Sequence, residues 1–270
     1  MIQEKLKWIL VILLGIFVSQ PATAYDPSQH KKAEGKHAGK PGKGGHGGHG
    51  YHMRSGPPED IPAHIKERSS EDGKGINLNR SQIGVQGMGI LAETPALANV
   101  ETLALQGNKL GDEGARILSV SDTFKNAKKI SLWGNEITNA GVGYIAGSKT
   151  LTHLEELILT RNKVGDEGVE ALASSSNADA LETLHLDSNQ ITDRGAFAIA
   201  GSPHFKNLKR LDLLKNGITA EGLKALINSK HLVNLEYLQI MGNPIDIDMA
   251  LELQKSINLP KLTTENLVLF

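Results

Sequence analysis

Apolar positions recur along this chain in one short phrase, seen most clearly at Leu184-His185-Leu186-Asp187-Ser188-Asn189-Gln190-Ile191. Two leucines alternate with a polar residue, an Asn follows three positions on, and an Ile two after that. Gly195 then opens an apolar run, Ala196 to Ala200. The phrase returns with its Asn at 108, 135, 162, 189, 216 and 243, a constant step of 27 residues. A weaker copy lies at Ile76-Asn77-Leu78, with Ser81 at the Asn position of the frame. Alternation at Leu184-His185-Leu186 predicts a short strand, its two leucines on one face. The run after each Gly predicts a helix with one apolar side, carried by pairs such as Ala171-Leu172, Ala198-Ile199 and Ala225-Leu226. A three-residue strand cannot bury its apolar face alone. Successive copies must stack, with their strands in a parallel sheet about 4.8 Å apart. A fixed period of this length predicts a solenoid.

Each element has its punctuation. Helices are expected to start at Gly111-Asp112, Thr138-Asn139, Gly165-Asp166, Thr192-Asp193, Thr219 and Asp246, which are N-cap residue types. Gly87, Gly114, Gly141, Gly168, Gly195 and Gly222 form a column, which Met249 breaks in the last copy. A Gly in a helix costs about 1 kcal/mol against Ala, so the column predicts a close approach, read here as helix against strand. The Asn column falls where the chain leaves the strand. A buried amide needs all its partners, so Asn108, Asn135, Asn162, Asn189, Asn216 and Asn243 are expected to be a structural ladder and not catalytic groups.

Period, Leu spacing, Asn column and Gly column together resemble leucine-rich repeats, and more narrowly the ribonuclease-inhibitor type, whose repeats carry a full helix. The resemblance spans about residues 75 to 250. It implies an α/β solenoid of about seven coils, with a curved parallel sheet on the concave side and helices on the convex side. It also implies that the concave face is the binding surface. Residues 59–75 are placed to form an N-terminal cap, with Ile61 and Ile65 over the first coil, and His64 reads as a surface residue of that cap. The array runs over 76–250 and a C-terminal cap over 251–270, where Leu267-Val268-Leu269-Phe270 reads as a closing edge strand displaced by two residues from the frame.

Residues 1–24 read as a secretory signal peptide: Lys5 and Lys7, an apolar run from Trp8 to Val18, then Ala22-Thr23-Ala24. The run is shorter than the roughly 20 residues that span a bilayer, so membrane attachment is expected only if the leader stays uncleaved. The chain has no Cys, and an exported chain without disulfides relies on its core. Leader and missing Cys together favour an exported bacterial protein, whether periplasmic, cell-surface or secreted.

Residues 25–58 change character, to Gly, Lys and His, and predict a disordered tether. Six basic residues against Asp26 and Glu34 give the segment a net charge of +4, whereas residues 59–270 carry −6. His37, His46, His49 and His52 are candidate ligands for a loosely held Zn²⁺, Ni²⁺ or Cu²⁺. The positive charge alternatively suits an anionic surface, and the plain alternative is a solvated spacer. A mildly acidic array argues against a nucleic-acid-binding repeat.

Strand alternation leaves one set of side chains outside the core. The candidates for a protein or peptide ligand on this face are Trp133, Ile158, Arg161, His185, Asp187, Arg210, Asp212, Leu214, Tyr237 and Met241. Its apolar members are expected to face solvent. His185, Asp187 and Asp212 fall on adjacent strands, which suits a metal or an acid–base pair, but no nucleophile, phosphate loop or pocket accompanies them. The sequence therefore predicts no enzyme and no resident cofactor beyond the tether's metal. It predicts an exported binding module, with tether-borne metal binding or polyanion anchoring as the alternative.

Overall fold

The computed structural model describes residues 58–269. The leader, almost all of the tether and the ligands assigned to it at His37, His46, His49 and His52 lie outside the described residues.

Short strands alternate with helices throughout. The strands are β1 Gly75–Asn77, β2 Thr102–Ala104, β3 Lys129–Ser131, β4 Glu156–Ile158, β5 Thr183–His185, β6 Arg210–Asp212, β7 Tyr237–Gln239 and β8 Leu267–Val268. Among the described residues they form one eight-stranded parallel sheet in sequence order. Leu103, Ile130, Leu157, Leu184 and Leu211 sit opposite one another across it. The pairing of β7 with β8 sets Leu238 against Leu267, two residues beyond the repeat frame. The helices are α1 Ile61–Arg68, α2 Gly84–Ala92, α3 Gly111–Val120, α4 Asn139–Ala146, α5 Asp166–Ala173, α6 Asp193–Gly201, α7 Ala220–Ile227 and α8 Ile247–Gln254. The array is an α/β solenoid.

Its core is continuous from coil to coil. Leucines directly after the strands, such as Leu105, Leu132, Leu159, Leu186 and Leu213, are fully buried, as are Leu118, Val169 and Ile199 from the helices. Phe124 and Phe205, in short 3-10 turns after the helices, fill the space behind. At the N-terminal end Ile65 is buried and Ile61 half-buried. Ser69 pairs antiparallel with Ile76, which covers the free edge of β1. His64 is half-buried there and lies 2.9 Å from the Ser81 hydroxyl.

Three hydrogen-bonded ladders tie the coils together. The first is the Asn column: each amide donates to strand carbonyls of its own and the preceding coil, as Asn162 does to Leu159 and Leu132. The second was not legible in the sequence. The carboxylate at the start of one helix caps the next coil's helix. Asp112 accepts from the Thr138 and Gly141 amides and the Thr138 hydroxyl. Asp166 does the same for Thr192 and Gly195, and Asp193 for Thr219 and Gly222. The third is a serine column, in which Ser148, Ser175, Ser202 and Ser229 donate to the carbonyls of Ser119, Ala146, Ala173 and Ala200. Among the described residues no buried side-chain nitrogen or oxygen lacks a partner.

The second ladder corrects the reading of the Gly column. From Gly141 on, the close approach is to the start of the preceding helix as well as to the residue four before the glycine, and not to a strand; Gly87 and Gly114 meet only Ile83 and Leu110 of their own coil. A Cβ at Gly222 would lie 2.4 Å from Asp193 Oδ1, and one at Gly195 2.7 Å from Asp166 Oδ1. The capping carboxylate occupies the space a side chain would take. The first helix start also differs from expectation: α3 begins at Gly111, behind Leu110, with no side-chain cap. The five later helices start behind Thr138, Gly165, Thr192, Thr219 and Asp246.

Candidate interaction face

The sheet's outward side chains stand in register columns, one residue per coil. Parallel pairing puts His185 beside both Ile158 and Asp212, and Arg210 beside Thr183 and Tyr237. At this spacing neighbours shield one another. Trp133, Ile158, Leu214 and Tyr237 are therefore half-buried on the outward face, part of each covered by its column neighbours. Met241, at the last full coil, is 37% exposed. Thr160 and Ser131 are buried in the same columns. The larger exposed apolar side chains sit instead on the helices: Val120, Phe197, Ile247 and Met249.

Two cations are stacked on two aromatic rings of this face. The Arg210 guanidinium lies 3.8 Å from the Tyr237 ring centroid, and that of Arg161 lies 5.4 Å from the Trp133 ring. Such stacking holds an aromatic edge and a charge together at a surface. Arg161 occupies the residue before the ladder Asn, and that residue is left-handed in every coil. Gly107, Gly134 and Gly242 serve there in three coils, whereas Arg80, Arg161, Ser188 and Lys215 adopt φ of 57°, 53°, 56° and 52°. A non-Gly residue is strained in this region. The Asn ladder fixes the turn, so these four coils tolerate the strain, and Arg80, Arg161 and Lys215 present an exposed side chain there. The signal for this was in the sequence, as Arg, Ser and Lys in a column otherwise partly Gly.

Between the two stacks lies the polar cluster. His185 Nδ1 is 3.7 Å from Asp212 Oδ2, and Asp187 lies on the same face two residues along. The Thr160 hydroxyl donates to Asp187 Oδ1 at 2.5 Å, and the Leu214 amide to Asp212 Oδ1 at 3.0 Å. Burial pushes the Asp187 carboxyl above the ordinary 3.8; Asp212 adds to this, while Thr160 and His185 oppose it. Burial likewise pushes the Tyr237 hydroxyl up, against the pull of Arg210.

A carboxyl that holds its proton more tightly in the folded chain makes stability fall as pH rises from the ordinary value through the raised one. Asp187→Asn removes that penalty and keeps an oxygen for Thr160. In chelator-treated protein the variant should melt higher than wild type at pH 7. The gain should vanish once the pH is below the usual carboxylate range. Thermal melts across pH check this, and a lower melting point at neutral pH would refute it.

The leucine-rich repeat family model matches residues 96–119, 150–173, 181–200 and 206–226. No curated protein matches the chain. The four matched segments fall inside the stacked array, on its strands, turns and helices. With the constant 27-residue frame, the single parallel sheet and the Asn ladder, they establish that the chain carries leucine-rich repeats.

Proposed function

We propose that the protein is an exported, non-enzymatic binding module that holds a protein or peptide on its sheet face. Leucine-rich repeats serve generally as protein-binding arrays, and the family supports that much. The observation that carries the placement is the pair of Arg-on-aromatic stacks, Arg161 on Trp133 and Arg210 on Tyr237. Aromatic and Arg side chains dominate interface hot spots, because they bring large contact area at low entropic cost. Here they are pre-set on a rigid sheet and are not consumed by the core. Ile158, Leu214 and Met241 supply apolar contact between and beside them, and His185, Asp187 and Asp212 the polar centre. The leader-like first 24 residues support export. The Gly, Lys and His segment is proposed as a tether with weak affinity for metal ions or polyanions.

The test uses the full mature chain and envelope and medium fractions of the source organism. Proteins captured by the wild type should be lost to a Trp133→Ala, Tyr237→Ala double variant, with affinity for the identified partner reduced at least ~30-fold. The double variant should remain folded, since neither ring is part of the buried core. Equal capture by the double variant, with loss in a Phe197→Ala control on α6, would move the binding surface to the helices.

A further inference from the structure

We propose that His185, Asp187 and Asp212 form a binding site for one divalent transition cation of the zinc type on the sheet face. One ligand atom from each of the three lies within 4.8 Å of the others. Two strands supply them, and strand register fixes their backbones: His185 is directly opposite Asp212, and Asp187 follows on the face that His185 shares. The donors differ in kind, one imidazole and two carboxylates. Nitrogen with oxygen in this ratio suits a borderline cation. Ca²⁺ takes six to eight oxygens and gains nothing from an imidazole.

Two observations outside the cluster support this. The first is charge. Two carboxylates stand together without a Lys or Arg partner among the described residues, and His185 is the group paired with Asp212. Of the cations of the same face, Arg210 lies on Tyr237, Arg161 on Trp133 and Lys129 on Glu156, and no ion pair joins Lys215 to either carboxylate. A dication would neutralise the two carboxylates with a neutral imidazole as third ligand. The second is orientation from outside the ligand set. The buried Thr160 hydroxyl, from the preceding coil, holds Asp187 Oδ1 and leaves Oδ2 for a ligand bond. The Leu214 amide does the same for Asp212. Fixing of this kind is what outer-shell partners supply at metal centres. Bond lengths near 2.1 Å put tetrahedral ligand atoms about 3.4 Å apart, so the side chains close by roughly an ångström on binding. All three are half-buried, and the solvent side leaves a coordination position for water or a ligand's carboxylate.

The site lies within the face proposed for the protein partner, but its metal titration needs no partner, so either reading can fail alone. The tether complicates the measurement, because its histidines bind the same ions. The test therefore uses the full chain with His30, His37, His46, His49 and His52 changed to Ala. Zn²⁺ is titrated calorimetrically, and Co²⁺ is followed by its visible absorption. One ion per chain should bind in this background. His185→Gln and Asp187→Asn should each weaken binding by at least ~100-fold, and Thr160→Val by ~10-fold. Circular dichroism of the metal-free variants reports folding. Absence of saturable binding at ~1 mM Zn²⁺, far weaker than a built site of this kind gives, would overturn the proposal. So would unchanged affinity in the His185→Gln and Asp187→Asn chains.

Discussion

Asn162→Ala should destabilise the array by about 3–6 kcal/mol. The amide of Asn162 donates to Leu132 O, Leu159 O and Thr160 O, and its oxygen accepts from the Asn135 and Ile137 amides at 3.0 Å each. Leu159 O keeps a second donor in Asn189. Three buried backbone groups, Leu132 O and the amides of Asn135 and Ile137, lose the partners that Asn162 gave them. Each such orphan costs about 1–3 kcal/mol, and total stabilities of domains are only about 5–15 kcal/mol. Position adds to the effect. Repeat arrays are held by nearest-neighbour terms, and this residue joins coils in the middle. A urea melt should show a lower midpoint and a shallower slope, as the two halves uncouple. Asn243→Ala, at the last full coil, is the control. Its oxygen accepts from Ile218 alone and its amide is only part-buried, so about 1–2 kcal/mol is expected. Equal small losses at both sites would mean that water replaces the ladder amides.

The fold was legible because the repeat makes each copy check the others. Leu184 and Leu186 alone suit many strands, but the same pair recurring every 27 residues in phase with Asn and Gly leaves one architecture. The displaced closing strand at Leu267 was legible for the same reason, as a break in the frame. What escaped were contacts between columns. Asp112, Asp166 and Asp193 read as caps of their own helices, whereas each reaches the next coil's helix. Sequence spacing gives a residue's own element and not the direction of its side chain across a 27-residue gap. The candidate face was legible as a set of positions but not as a surface. Alternation puts Trp133 and Ile158 outside the core. It does not report that neighbours in a parallel column cover half of each.

Two glycines in one helix separate these levels of information. Helix propensity treats Gly141 and Gly143 of α4 alike, and each change to Ala should gain about 0.5–1 kcal/mol. Their surroundings differ. A Cβ at Gly143 meets nothing within 4 Å, so Gly143→Ala should stabilise the protein by that amount. A Cβ at Gly141 would lie 2.5 Å from Asp112 Oδ1, 2.7 Å from Ile137 Cγ2 and 3.3 Å from Ala115 Cβ. The Asp112 carboxylate cannot yield freely, since it holds Thr138 and Gly141 at the start of the helix. Overpacking costs about 1–3 kcal/mol, and losing charge-assisted capping bonds adds about 1–2 kcal/mol. Gly141→Ala should therefore destabilise by about 2–4 kcal/mol, opposite in sign to its neighbour. A double-mutant cycle identifies the cause. If the carboxylate is what the methyl meets, Asp112→Ala and Gly141→Ala together should cost clearly less than their sum, because the second change removes an already broken contact. Strict additivity would instead assign the cost to Ile137, the other close atom and a member of the same coil. The glycine column would then be a property of each repeat and not of the junction between repeats.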